Sequence, residues 1–234
     1  MDKLALKNKD RVIDVLAERL CFERASVKLY DKVLQRMLQA TSKRTHSIDG
    51  DYTTYGVSGY RKDASRGMHD DIREEVSGAG EDRGRQAHER EQRVLSDMLP
   101  RMRAVRNQEK GHEEWLEDCI RKLGGDPKRR TELARLIARE VAGIERVIKK
   151  DPELPHLFHT LLAAEHVDTA GWDLLAELAE AAGDADSKTE FEKRLHEEEH
   201  HVAFLREALR AFSVHEILEQ DLQAPTQEIP PPTH

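Results

Sequence analysis

Two short motifs of one form, Glu109-x-x-His112 and Glu198-x-x-His201, constrain this chain more than any other feature. Residues three apart in an α-helix lie about one turn from each other on the same face. Each motif therefore aims a carboxylate and an imidazole in one direction. Both are followed by an aromatic residue and a leucine at the same offset, Trp115-Leu116 after His112 and Phe204-Leu205 after His201. The repeat also extends backwards. Tyr30 stands seven positions after Glu23, and Trp172 stands seven after Glu165. Each half of the chain thus reads lone Glu, aromatic, then Glu-x-x-His.

All four Glu fall inside the apolar stripes of helical patterns. The first stripe, within about residues 10–40 and with Asp10 as the expected N-cap, is Leu16, Leu20, Glu23, Val27, Tyr30, Leu34, Met37. Its spacings of four and three are those of an amphipathic helix. Glu18 competes with Glu23, but the stripe and the Tyr30 offset both select Glu23. A second helix is expected over about 86–123, with Pro100 either kinking it or opening its main part. Its stripe is Met102, Val105, Glu109, His112, Leu116, Cys119, and it stops at Gly124-Gly125-Asp126-Pro127. A shorter helix over 131–150 follows. The next, over 154–183 with Pro155 in its first turn, carries Phe158, Leu162, Glu165, Trp172 and Ala176. The last opens on the capping box Ser187-Lys188-Thr189-Glu190 and runs to about Phe212. At EEEHH, Glu197-x-x-His200 fits the motif as literally as Glu198-x-x-His201. The 198/201 register keeps phase with Leu195 and Leu205, whereas 197/200 shares a face with Glu190, Lys193 and Arg194, which is solvent chemistry.

Between the first two helices, residues 41–85 hold seven of the 13 glycines and three of the four tyrosines without any sustained period. They read as an insertion with some helix at its end. The two Glu of the first half stand much further apart than those of the second, and this stretch accounts for most of the excess. After Phe212, a short amphipathic piece near 216–222 and a Pro-rich tail, extended or disordered, complete the chain. The expected organisation is one bundle over 1–214 with residues 215–234 appended.

A single Glu is ordinarily a solvated charge. Four Glu and two His in four core stripes are not, because burying an ionised carboxylate costs several kcal/mol. Facing one another, four carboxylates repel unless protonated or bridged by cations. Two divalent metal ions would cancel them and leave the imidazoles neutral.

These residues resemble the ferritin-like di-iron carboxylate superfamily, whose pattern is one Glu from each of two helices and Glu-x-x-His from each of the other two. The likeness covers about residues 10–40, 98–124 and 154–212. It implies an all-α, ferritin-like antiparallel four-helix bundle with a long crossover carrying a short extra helix, plus the insertion. It implies Glu23, Glu109, His112, Glu165, Glu198 and His201 as metal ligands, with Glu109 and Glu198 bridging. The implied cofactor is two metal ions, iron first and manganese as the alternative. The implied chemistry is oxidoreductase-type, on O2 or peroxide, or ferrous-iron oxidation of the ferroxidase kind. The rivals are manganese-dependent peroxide disproportionation and a metal-free helical scaffold for protein partners. With two cysteines a rubredoxin-type centre is excluded, and the insertion and extra helix make a storage cage less fitting than a dimer.

Around the motifs, Tyr30 and Trp172 are near-site candidates, with core packing as the plainer role. Asp168 is a candidate hydrogen-bond acceptor for a ligand imidazole. Cys119 reads as core, and His166, His196 and His200 as surface. Composition narrows the partners. With 36% charged residues and a net charge of −8, a nucleic-acid binder is disfavoured. No run spans a bilayer, no signal-peptide core opens the chain, and the two scattered cysteines point to a reducing cytoplasm.

Overall fold

A computed structural model of the chain describes residues 1–42, 73–149 and 153–232. Those residues form five helices and no strand: α1 Asp2–Ser42, α2 Arg73–Lys122, α3 Glu132–Lys149, α4 Leu154–Ala181 and α5 Ala185–Leu218. No helix among them is long and apolar enough to cross a membrane. Residues 43–72, the body of the expected insertion, lie outside the described residues. Its end is helical, as expected, but the helix starts at Arg73 and takes in thirteen positions of the expected insertion.

Local chemistry explains most boundaries and corrects three. α1 begins at Asp2 and bends at Asn8, whose backbone is non-helical (φ −163°, ψ 85°). The Asn8 side-chain oxygen accepts from Arg11 N at 3.3 Å, so Asn8, not Asp10, caps the main part of the helix. α2 continues through Pro100, so its main part does not open there. The missing N–H frees only the carbonyl of Ser96, and Ser96 and Pro100 both lie on the exposed face, where water serves instead. Between α4 and α5, Gly183 adopts φ +69°, with Gly183 N donating to Glu180 O and Asp184 N to Ala179 O. This is the paired closure of a Schellman turn, which needs a left-handed residue. Asp184 then caps α5, accepting from Ser187 N at 3.2 Å. The expected cap at Ser187 is superseded because the tight turn brings an anionic side chain to the helix start first.

Cross-helix partners give the topology. Arg24 pairs with Glu117 and Arg106 with Asp31, so α1 and α2 are antiparallel. Lys188–Glu180 and the Phe158–Phe212 ring pair set α4 against α5 in the same way. Arg19–Asp168 joins α1 to α4, and His112–Glu197 joins α2 to α5, again antiparallel. α2 and α4 therefore point the same way, and residues 123–153 carry the chain the length of the bundle between them. α3 lies on that crossover and packs Ile137, Val141 and Ile148 into the core.

The core is in two parts. One cluster contains Tyr30, Val33, Met98, Met102, Val105, Phe158, Leu161, Phe204 and Leu205. The other contains Leu16, Leu20, Leu116, Trp172, Leu175 and Phe191. Along each of α1, α2, α4 and α5 the switch from one to the other falls at a lone Glu or at a Glu-x-x-His.

The C-terminal segment departs from expectation in one place. The short piece near 216–222 is largely the end of α5, which stays helical to Leu218 and closes at Glu219 in the left-handed region (φ 52°). Residues 220–232 form neither helix nor strand and are strapped across α2 and α5. Leu222 and Pro225 are buried, Arg101 donates to Pro225 O, and Glu207 accepts from Thr226 N and Gln227 N at 2.6 and 2.9 Å.

Candidate metal centre

The polar layer between the two apolar clusters holds Glu23 from α1, Glu109 and His112 from α2, Glu165 from α4, and Glu198 and His201 from α5. None of the six is more than 3% exposed. They form two overlapping groups, Glu23–Glu109–His112–Glu198 and Glu109–Glu165–Glu198–His201, and within each the candidate ligand atoms lie within 4.8 Å of one another. Glu109 and Glu198 belong to both.

Each imidazole turns Nδ1 inward. His112 Nδ1 is 3.0 Å from Glu198 Oε1 and 3.7 Å from Glu23 Oε2. His201 Nδ1 is 3.1 Å from Glu109 Oε1, 3.1 Å from Glu198 Oε2 and 3.3 Å from Glu165 Oε2. The outer nitrogens are committed elsewhere. His112 Nε2 donates to Glu197 Oε2 at 2.6 Å, and His201 Nε2 donates to Gln108 Oε1 at 2.8 Å. Gln108 is oriented in turn by its own amide, which donates to Pro230 O at 3.0 Å. Burial works against charge on these rings, but the surrounding carboxylates outweigh it and push both imidazoles well above their ordinary range. With the outer N–H held in place, a bound cation would displace the inner proton and take up the Nδ1 lone pair.

The lone Glu residues are held crosswise. Tyr30 of α1 donates to Glu165 Oε1 at 2.6 Å, and Trp172 of α4 donates to Glu23 Oε1 at 2.9 Å. Burial and the neighbouring Glu165 carboxylate push the Tyr30 hydroxyl well above its ordinary range, so it stays a donor. Burial, then the neighbouring carboxylates, also push Glu109 well up. Glu165 rises to about 7, chiefly through burial and then Glu198. Burial acts on Glu198 in the same direction, but His201 and His112 on either side outweigh it and hold it low.

The donor set fits a pair of hard or borderline divalent cations. Glu23 Oε2, both oxygens of Glu109, Glu198 Oε1 and His112 Nδ1 are buried with no hydrogen-bond partner among the described residues. Orphaned buried polar atoms are rare and costly. Here they fall together in the two groups of candidate ligand atoms. Oxygen ligands with two imidazoles suit iron, manganese or zinc rather than a thiolate-seeking ion.

Asp168 does not serve an imidazole. Its carboxylate lies 3.2 Å from Arg19 Nε, and Arg19 reaches it because Gly171 has no side chain. A Cβ there would sit 1.5 Å from the guanidinium. Cys119 is buried, and burial pushes its thiol up to about 11, in keeping with a core residue. His166 and His196 are exposed and His200 is partly so.

Sequence reasoning missed two residues. The 197/200 face is not the solvent face expected of it: Glu197 and Arg194 are 3% and 6% exposed, because α2 packs over that side of α5. Gln108 had not been singled out. A signal did exist: each stands one position before the Glu of its motif, and each serves the imidazole of the other motif.

A protein-family model described as a domain of unknown function (DUF892) matches residues 85–220. That span holds five of the six site residues, Glu23 lying before it. Comparison with curated proteins gave no match, and comparison with solved structures gave none. Since the match covers more than half of the chain, this protein, with its buried carboxylate–imidazole layer, belongs to the DUF892 family.

Proposed function

We propose that this is a ferritin-like protein whose bundle, residues 1–214, holds two divalent metal ions, iron first. Its activity is then oxidoreductase chemistry on O2 or peroxide, or oxidation of ferrous iron. The observation that carries this reading is the convergence of four buried carboxylates and two inward Nδ1 atoms, several of them with no hydrogen-bond partner among the described residues. The antiparallel helices joined by one long crossover agree with a ferritin-like arrangement.

In this reading Glu23, Glu109, His112 and Glu198 would hold one ion, and Glu109, Glu165, Glu198 and His201 would hold the other. The ions would supply Lewis acidity and redox capacity. The chain's own residues do the rest. Glu197 and Gln108 fix both rings with Nδ1 inward. Tyr30 and Trp172 each occupy one oxygen of a lone Glu, leaving the other to face the centre. The apolar clusters on either side exclude bulk water, so charge within the layer is weakly screened.

Elemental analysis of aerobically purified protein tests the proposal, beside a Glu109→Ala/Glu198→Ala variant. Circular dichroism on the variant checks that it keeps its helices. Two iron per chain, absent from the variant, is the expected result. No metal after anaerobic reconstitution with ferrous ion would overturn it. The same donor set accepts manganese, so two manganese per chain with peroxide disproportionation would move the reading to a manganese catalase-like activity.

A further inference from the structure

On the outer side of α5 a second pair of imidazoles converges. His196 and His200, one turn apart, bring their Nε2 atoms to 3.2 Å, with ring centroids 4.6 Å apart. The His196 side chain is 67% exposed, and the pair lies outside the buried layer. We propose that His196 and His200 form a surface site for a borderline divalent transition-metal ion, of the Ni2+, Zn2+ or Cu2+ class, bound through both Nε2 atoms.

The bite is right for such an ion. At a metal–nitrogen distance of about 2.05 Å, two nitrogens 3.2 Å apart subtend about 100° at the ion. That lies between the cis angle of an octahedron and the angle of a tetrahedron. Both rings are also anchored on their far side. His196 Nδ1 faces Glu199 Oε2 at 3.3 Å, and His200 Nδ1 faces Gln227 Nε2 of the C-terminal strap at 2.8 Å. Neither ring must be drawn from free rotation to bind, which lowers the ordering cost.

Without an ion the hydrogen bonds form one directed chain. Gln227 donates to His200 Nδ1, His200 Nε2 donates to His196 Nε2, and His196 Nδ1 donates to Glu199. His196 is then already the tautomer a metal requires. His200 has only to move its proton from Nε2 to Nδ1, while the Gln227 amide turns over to present its oxygen. No proton is released. Water completes the coordination, so this is a site for capture rather than for permanent structure.

Two measurements on the untagged full chain test this. A resin carrying immobilised Ni2+ reaches surface histidines and not the buried layer. Wild type should be retained and His196→Ala/His200→Ala should flow through, while His156→Ala/His159→Ala, which removes another exposed pair, stays retained. In solution, calorimetric titration with Zn2+ should count one ion per chain fewer for His196→Ala/His200→Ala than for wild type. Each single variant should behave nearly like the double, because one ring cannot chelate. The Glu109→Ala/Glu198→Ala variant should keep the surface ion, so failure here and failure of the buried centre are distinguishable. Unchanged retention and stoichiometry in the His196→Ala/His200→Ala variant would overturn the proposal.

Discussion

Glu197 and Gln108 occupy equivalent places against the two rings but differ in charge. A carboxylate accepting an imidazole N–H makes a charge-assisted hydrogen bond, roughly twice as strong as a neutral one. Outer partners of this kind are typically worth 10–100-fold in metal affinity. Glu197→Leu is therefore expected to weaken metal binding by about that factor, and Gln108→Leu by less. Competition against a coloured chelator measures both. An equal loss in the two variants would show that charge at Glu197 has no role beyond holding the ring. At this scale the sequence was informative wherever a side chain repeated at a fixed offset. Glu23, Glu109, Glu165 and Glu198 come together as the stripes require. It was silent about Arg19–Asp168, because the space that Gly171 leaves for a guanidinium has no periodicity.

Among the helices, the joint between α4 and α5 carries a titratable fastening. Asp184 accepts from Ser187 N and from Leu4 N, and lies 3.4 Å from the N-terminal ammonium. Burial alone would raise its pKa. The backbone donors and that ammonium outweigh burial and bring it from the ordinary 3.8 down to about 2. Since the folded value lies below the unfolded one, the unfolded chain binds more protons in between. The stabilisation is present above about pH 4 and is lost as pH falls towards 2. Asp184→Asn keeps a capping oxygen without the charge. Urea unfolding should find wild type more stable than Asp184→Asn at pH 6, with the gap closing by pH 2; a gap that persists there would refute the assignment.

The C-terminal strap belongs to this scale too. Removing residues 223–234 should leave helix content intact by circular dichroism. It should nevertheless speed extraction of metal by a chelator, because Gln108 loses the Pro230 carbonyl that orients it. Extraction at the wild-type rate would mean that the strap only covers α2 and α5. The apolar periods were enough to place the helices. The strap was not readable, since it docks mainly through backbone carbonyls and amides, which every residue carries. The early start of α2 was hidden for a related reason: the glycines over 73–85 weaken a helical pattern without forbidding a helix.

For the molecule as a whole, the crosswise bracing of the lone Glu residues bears on the order in which the chain assembles. Tyr30 meets Glu165 across 135 positions, and Trp172 meets Glu23 across 149. Neither α1 with α2 nor α4 with α5 can make these bonds alone. Each hairpin can gather its local apolar contacts early, when loop closure is cheap. The polar layer must wait until the hairpins meet, and meeting brings four carboxylates into one dry space. The layer is thus a late event in folding and an early one in unfolding. Tyr30→Phe, which leaves a Glu165 oxygen without its donor, should then accelerate unfolding in denaturant while leaving the refolding rate nearly unchanged. Stopped-flow measurements on metal-free protein would read both limbs, and a slowed refolding limb would place the layer in the folding nucleus instead. A chain ordered in this way would finish its scaffold before the six candidate ligands converge, so an ion arriving early would find only scattered, solvated side chains and be released.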